Sequence, residues 1–245
     1  MLKLIKGDCL EVMKDLKDRT FNCIIADPPW NINYGYDRYV DSKKDADYIL
    51  WSKKWFTEVK RLMQHHASFY LIMGDKYVAE LKVICESLGL QISQWLIWYY
   101  TFGRARKTGF TKAHHHLLQF GILPAYPRFY SKGIRVESVR QKMGDKRACD
   151  KGKTPDDVWT FPRICGTFKE RMKWHPCQLP EKLVERIILS TTREGETVLD
   201  PFAGSGTTLS VCKKLKRNCV GIELSDNYCA GIVERVGKDN IEYVH

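Results

Sequence analysis

Two hydrophobic rhythms alternate along the first hundred residues. Short runs that are apolar nearly throughout, Leu2 to Ile5, Phe21 to Ala26, Ser68 to Met73 and Leu90 to Tyr100, are separated by stretches whose apolar residues recur every three or four positions. From Asp45 onward Tyr48, Trp51, Trp55, Phe56, Val59, Leu62 and Met63 mark one helical face, and shorter helices are expected near Leu10 to Leu16 and Tyr77 to Leu88. Strands without polar alternation are those covered on both faces, as in parallel sheets. The pattern predicts an α/β fold: a Rossmann-like, mostly parallel sheet with helices on both faces.

Between Thr101 and Lys173 the rhythm fails. Gly, Pro and basic residues are mixed with Tyr126, Phe129, Tyr130, Trp159 and Phe161 without a period, and the charge density of Gln141 to Lys153 predicts disorder there. Regularity returns with Pro180, suited to a first helical turn, and the apolar face Leu183, Val184, Ile187 and Ile188. Gly195 ends that helix, strands follow at Thr197 to Leu199 and Asn218 to Ile222, and Ser225 is a good N-cap for a last helix towards Arg235. No internal repeat is evident. The predicted organisation is one α/β domain made of residues 1–97 and 176–245, with residues 98–175 as a loop-rich basic insertion.

Charge sharpens this division. The formal net charge is +11, and Trp98 to His175 holds 17 Lys and Arg against 6 Asp and Glu, while the remainder balances at 23 against 23. One segment carrying the whole excess reads as a polyanion-binding face, because neutralising phosphates releases counterions. Arg104, Arg106, Lys107, Lys112, Arg135 and Arg140 are its candidate phosphate or base-edge contacts. The nine cysteines form no C-x-x-C pair, so they read as reduced thiols rather than zinc ligands or disulfides. His114, His115 and His116 are adjacent, and neighbours in sequence point apart, so no metal is expected. No signal-like segment opens the chain and no apolar run spans a bilayer, so a cytoplasmic protein is expected.

Two strand-end signatures carry the chemistry. Asp200-Pro-Phe-Ala-Gly-Ser-Gly206 follows a strand and opens a helix, where glycines admit a ligand close to the backbone. Glu223, at the end of the next strand, can accept hydrogen bonds from both hydroxyls of a ribose. An acid at the mouth of the loop suits a cationic ligand, and S-adenosylmethionine has a ribose, an ammonium and a sulfonium but no phosphate. Asp27-Pro28-Pro29-Trp30 ends an earlier strand. An exocyclic base amine is a poor nucleophile because its lone pair is delocalised. The Asp27 carboxylate and the Pro28 carbonyl, aimed at its hydrogens, favour a tetrahedral nitrogen with a free lone pair. Successive prolines stiffen that corner. Trp30 offers a stacking face worth about 1–3 kcal/mol per base.

With these motifs the chain resembles the amino-methylating DNA methyltransferases of the permuted β class, in which D/S/N-P-P-Y/F/W precedes the target-recognition region and F-x-G-x-G comes last. Asp27 to Asn31, Asp157-Val158-Trp159 with Phe161-Pro162, His175-Pro176-x-Gln178-x-Pro180, Val198 to Thr208 and Gly221-Ile222-Glu223 carry the likeness over nearly the whole chain. Leu179, where the family often has Lys, and the segment Ala113-His114-His115-His116, where it often has Glu following His, depart from it. The resemblance implies catalytic roles for Asp27, Pro28, Pro29 and Trp30, and S-adenosylmethionine bound by Asp8, Asp200, Phe202, Gly204, Gly206, Thr207 and Glu223. It also implies double-stranded DNA as partner, a homodimer, and methyl transfer to the 6-amino group of an adenine flipped out of the stack. The 4-amino group of cytosine is the alternative target. A nicotinamide oxidoreductase or a silent DNA-binding module remains as a reading from another class, and nothing in the basic segment reads a 2′-hydroxyl to separate RNA from DNA.

Overall fold

The computed structural model describes residues 1–103 and 107–245. Its elements, besides two single-turn 3-10 helices, are β1 (Leu2–Lys6), α1 (Cys9–Lys14), β2 (Phe21–Ala26), α2 (Asp45–Leu62), β3 (Met63–Met73), α3 (Val78–Ser87), β4 (Gln91–Tyr99), β5 (His114–Gly121), α4 (Val139–Lys142), β6 (Val158–Thr160), α5 (Glu181–Thr191), β7 (Thr197–Asp200), α6 (Thr207–Lys214), β8 (Asn218–Glu223), α7 (Asp226–Val236) and β9 (Glu242–Val244). Among the described residues no helix is long and apolar enough to cross a membrane.

All nine strands form one sheet in the order β6-β4-β5-β3-β2-β7-β8-β1-β9. Every strand is parallel to its neighbours except β5, which runs antiparallel to both β3 and β4. The apolar runs explain themselves in this setting. In β2, Cys23 and Ile25 face a core with Leu183, Ile187, Leu209 and Ile232 of α5, α6 and α7, while Ile24 and Ala26 face a second core with Trp55, Phe56 and Leu81 of α2 and α3. The chain builds outward in one direction from β2 and in the other from β7. The border between these two strands is therefore the topological switch point, where α/β sheets open a crevice beyond the carboxyl ends of their strands.

Three strands escape the sequence reading. β6 and β9 have three residues each, too few to show a period. β5 lies inside the segment expected as an insertion, yet it is an inner strand of the sheet. Its polar start, His114 to His116, hides the run Leu117 to Phe120, in which Leu117, Leu118 and Phe120 are fully buried. Residues 98–175 are therefore not a body apart from the sheet. Because β5 is reversed, the described residues 100–103, 107–113 and 161–175 stand at the carboxyl edge, whereas residues 122–157 leave and re-enter the sheet at the amino edge. There the Tyr130 N–H donates to the Ser190 carbonyl at 2.7 Å and Arg128 pairs with Glu196 at 2.7 Å. Gln141 to Lys153, expected to be disordered, is closed by a bridge between Val136 and Lys153, and Ser138 and Gln141 form a reciprocal capping box on α4.

Candidate active site

Asp27 and Asp200 end adjacent strands, since Ile24 of β2 stands opposite Leu199 of β7. One step further along the rim, Gly221 of β8 pairs with Asp200, and Lys6 of β1 pairs with Glu223. The carboxyl ends of β2, β7, β8 and β1 thus form a continuous rim around one cleft. Asp8, Asp27, Pro29, Asp200, Phe202, Gly204, Thr207 and Glu223 line it.

The acid cradle is held from behind. Glu223 accepts the Gly204 N–H at 2.8 Å and the Ser225 N–H at 2.9 Å, so the glycine loop and the start of α7 share one carboxylate. Asp200 accepts the Phe202 N–H at 3.0 Å, and Asp8 caps α1 by accepting the Leu10 N–H at 2.8 Å. Phe202 meets Trp55 edge-on at 5.2 Å and Trp51 at 5.8 Å, giving the cleft an aromatic wall. Gly204 adopts a positive φ of 51°, and a Cβ there would stand 3.0 Å from His175 Nε2. Thr207 is buried and bonds the Leu179 carbonyl at 3.2 Å. Gly206 was expected in the cofactor pocket, but it sits behind the loop: at φ 74° it packs on α7, where a Cβ would be 2.9 Å from Ile232. Its missing side chain serves helix packing.

Burial pushes the Glu223 carboxyl up to about 7 and the Asp200 carboxyl up to about 6. Burial, and secondarily the charge of Asp200, pushes Asp27 up to about 7, opposed by a hydrogen bond from Trp30. Among the described residues lining the cleft, Arg38 is the one basic side chain. A site that concentrates carboxylates which are reluctant to ionise beside one another fits a cationic ligand. It fits the sulfonium and ammonium of S-adenosylmethionine and does not suit the phosphates of a dinucleotide.

The Asp-Pro-Pro-Trp corner is rigid. The Trp30 indole N–H donates to Asp27 Oδ1 at 3.2 Å, and the Tyr48 hydroxyl donates to the Pro29 carbonyl at 2.9 Å. Asn31, at φ 56°, leads into a loop whose base is tied by Asp41, which accepts the N–H groups of Asn31, Ile32 and Tyr34 at 2.7, 3.1 and 3.0 Å. The tip of the loop reaches across the cleft. Asp37 bonds Ser225 Oγ and accepts from Asn227 Nδ2 at 3.1 Å, joining the catalytic corner to the cofactor helix. Pro28 is buried behind this corner.

Several cleft residues were not singled out from sequence. Trp51 read only as part of a helical face. Tyr36, Tyr39 and Cys177 lie on loops with no pattern to betray them. His175, quoted only as part of a motif, is buried with its Nδ1 unpartnered, and burial lowers its pKa to about 4, so it is neutral.

The expected DNA contacts divide. Arg104 and Arg106 lie outside the described residues. Lys107 is exposed on the β4–β5 loop, and Lys112 bridges to Asp75 at 2.9 Å beside the catalytic corner. Arg135 and Arg140 are not brought to this corner. They belong to the amino-edge excursion, where Arg135 donates to the Lys151 carbonyl at 2.8 Å and Arg140 pairs with Asp145 at 2.9 Å. Strand geometry turns His115 away from its neighbours but brings His114 and His116 to one face, where their ring nitrogens and an Asp75 oxygen lie within 4.8 Å of one another. His116 Nδ1 accepts from Trp95 at 3.0 Å, which leaves the hydrogen on Nε2, facing Asp75 at 3.1 Å.

An acid-lined cleft at the switch point, faced by a stiff Asp-Pro-Pro-Trp corner, defines an α/β methyltransferase of the S-adenosylmethionine-dependent type. The family model described as DNA methylase, for N6 and N4 amino methyltransferases, matches residues 21–234, and the chain belongs to that family. It is 34% identical to the type II methyltransferase M.HpaI of Haemophilus parainfluenzae over 97% of this chain and 74% of that protein. It is 30% identical to the DNA adenine methyltransferase YhdJ of Escherichia coli over 92% of this chain and 79% of that protein. Its fold matches the M1.HpyAVI complex with S-adenosylmethionine at a TM-score of 0.71 and 22% identity, over 97% of this chain and all of that one. It also matches the cytosine-N4-specific PvuII DNA methyltransferase at 0.76 and 17% identity, over 98% of this chain and 88% of that one.

Proposed function

We propose that this chain transfers a methyl group from S-adenosylmethionine to the 6-amino group of an adenine flipped out of double-stranded DNA. The observation that carries the reading is that the Asp27 corner and the Asp200–Glu223 cradle line one cleft from adjacent strands. When bound, S-adenosylmethionine supplies an electrophilic methyl group on a sulfonium. Glu223 would hold the ribose hydroxyls, Asp200 and Asp8 would offer carboxylates to the cationic end, and Phe202 with Trp51 would pack on the adenine ring. Gly204 allows the close approach.

At the catalytic corner, Asp27 Oδ1 is occupied by Trp30, which leaves Oδ2 for an amine hydrogen. The Pro28 carbonyl takes the other hydrogen, and Trp30 stacks on the base. With both hydrogens held, the nitrogen lone pair would be free to accept a methyl group. Methylation would require the amine to lose a proton, and Asp27, with a pKa near 7, is a fitting acceptor. The flip itself is required because this carboxylate lies within the cleft, beyond the reach of a stacked base.

Lys107 and Lys112, at the carboxyl edge, bind the DNA backbone in this reading, together with Arg104 and Arg106, which lie outside the described residues. Adenine is favoured by Asp at the head of Pro-Pro-Trp and by the adenine activity named for YhdJ. A permuted order of motifs and a homodimer complete it. The test is expression in a host without DNA methylation, followed by sequencing that resolves modified bases. N6-methyladenine in one sequence context is expected, lost with Asp27→Ala. N4-methylcytosine would move the target to cytosine, and unmodified DNA from a host making folded protein would overturn the reading.

A further inference from the structure

We propose that Phe110 is a wedge that enters the duplex and fills the gap left by the flipped base, an inference that rests on the reaction proposed above. Extruding a base forfeits its stacking on both neighbours, and minor-groove proteins insert apolar side chains at such steps. The β4–β5 loop is built to deliver one beside the catalytic corner. His115 at its return strand stands edge-on to Trp30 with ring centroids 4.6 Å apart, and Lys112 is fixed to Asp75, just after β3, at 2.9 Å. The two arms of the loop meet at Gly103, where a Cβ would fall 1.7 Å from the Lys112 carbonyl oxygen, so no other residue lets them close.

From this neck Phe110 projects with 97% of its surface exposed. The preceding Gly109, at φ 86° with open space around it, turns the backbone outward. Phe102, on the same loop, is 49% exposed and has the Arg163 guanidinium over its ring at 5.3 Å. Tyr126, 77% exposed, lies in the excursion at the amino edge, on the far side of the sheet from Asp27. A benzyl group held in water beside basic Lys107 is unfavourable by itself, and the basic flank selects a polyanion as the partner that covers it. A stack of bases offers both an apolar slot and the phosphates beside it.

The test uses duplexes carrying the methylated site, in one case fully paired and in the other with an abasic residue opposite the target, where extrusion is easy. Single-turnover methylation by Phe110→Ala is expected to fall about tenfold or more on the paired duplex and to return near the wild-type rate on the unpaired one, with Phe110→Leu in between. Equal rates for Phe110→Ala and wild type on both duplexes, or an equal loss on both, would overturn the proposal. Failure of the wild type on both would overturn the reaction itself and the wedge with it. Because Phe110 touches no core, its removal leaves folding untouched, and an unchanged melting temperature checks this.

Discussion

Trp30 and Asp27 are joined by a hydrogen bond of 3.2 Å from indole nitrogen to carboxylate oxygen, so the side chain proposed to stack on the base also stabilises the ionised form of the residue proposed to activate it. Burial and the nearby Asp200 push the Asp27 carboxyl up, and this bond opposes them. Trp30→Phe keeps a stacking face and removes the bond. The acid limb of kcat/KM should then move about one unit to higher pH, the size expected of a hydrogen bond to a charged group. A pH profile with an unmoved acid limb would show that Trp30 does not act on Asp27.

Cofactor affinity should rise with pH. Asp27, Asp200 and Glu223 all have raised pKa values, of about 7, 6 and 7, so each is partly protonated at pH 6 and ionised at pH 8. A cation bound by the ionised forms gains affinity as they appear, about tenfold between those pH values for one controlling group near 7. Isothermal titration should show the full rise for S-adenosylmethionine and a smaller one for 5′-methylthioadenosine, which keeps the ribose held by Glu223 but has no cation for Asp200. Equal pH dependence for both would separate the acids from the sulfonium.

The same groups set a stability slope. Their raised values mean that the folded protein binds more protons than the unfolded chain between the ordinary carboxylate range and about pH 7. Stability is therefore lost as pH rises through that window, the reverse of a salt-bridged carboxylate. Ligand-free protein should melt at a lower temperature at pH 8 than at pH 6, and Asp200→Asn should flatten the difference. A melting temperature that climbs from pH 6 to pH 8 would contradict the cradle's electrostatics.

The strands around the site were readable because each is apolar throughout and ends on a marked residue: Ala26 before Asp27, Leu199 before Asp200, Ile222 before Glu223. Two strands buried on both faces and ending in acids leave few other arrangements. β5 was hidden because its first turn of pleat is three histidines, and an inner strand whose end lies at the site can be polar there without exposing the core. Gly204 and Gly206 look alike in sequence and differ in space, one facing the cleft and the other Ile232. Nothing short of the packing of α7 distinguishes them. The charge of residues 98–175 was visible as a sum, but the reversal of β5 sends part of it to the opposite edge, a consequence of topology that composition does not carry.

Those two glycines give separable outcomes. Gly206→Ala forces a left-handed residue and a contact of 2.9 Å onto Ile232, and should destabilise the fold by about 2 kcal/mol or more. Gly204→Ala meets His175 in the cleft at 3.0 Å and should weaken S-adenosylmethionine binding while changing the melting temperature less. Calorimetry and titration on both variants check the assignment, and the reverse pattern would exchange the roles.

Asp37 is expected to govern how long the cofactor stays. The loop from Asn31 to Asp41 is anchored at its base by Asp41 and crosses the cleft to Ser225 and Asn227 at the start of α7, with Arg38 lining the space beneath. Its tip is secured by hydrogen bonds to the Asp37 carboxylate, by the Asp37 N–H donating to the Tyr228 hydroxyl at 3.3 Å and by Arg38 facing Asp226 at 4.0 Å, so it can open without unfolding either core. Asp37→Ala removes the two bonds to the carboxylate and leaves Asp41 and the Asp27 corner in place. Dissociation of S-adenosylmethionine, followed by stopped-flow displacement, should accelerate about tenfold, as the loss of one to two hydrogen bonds of roughly 1 kcal/mol each implies. Turnover at saturating cofactor should change little, because Asp27 and Trp30 keep their geometry. A variant that releases the cofactor at the wild-type rate would mean that the strap covers the site without holding it closed.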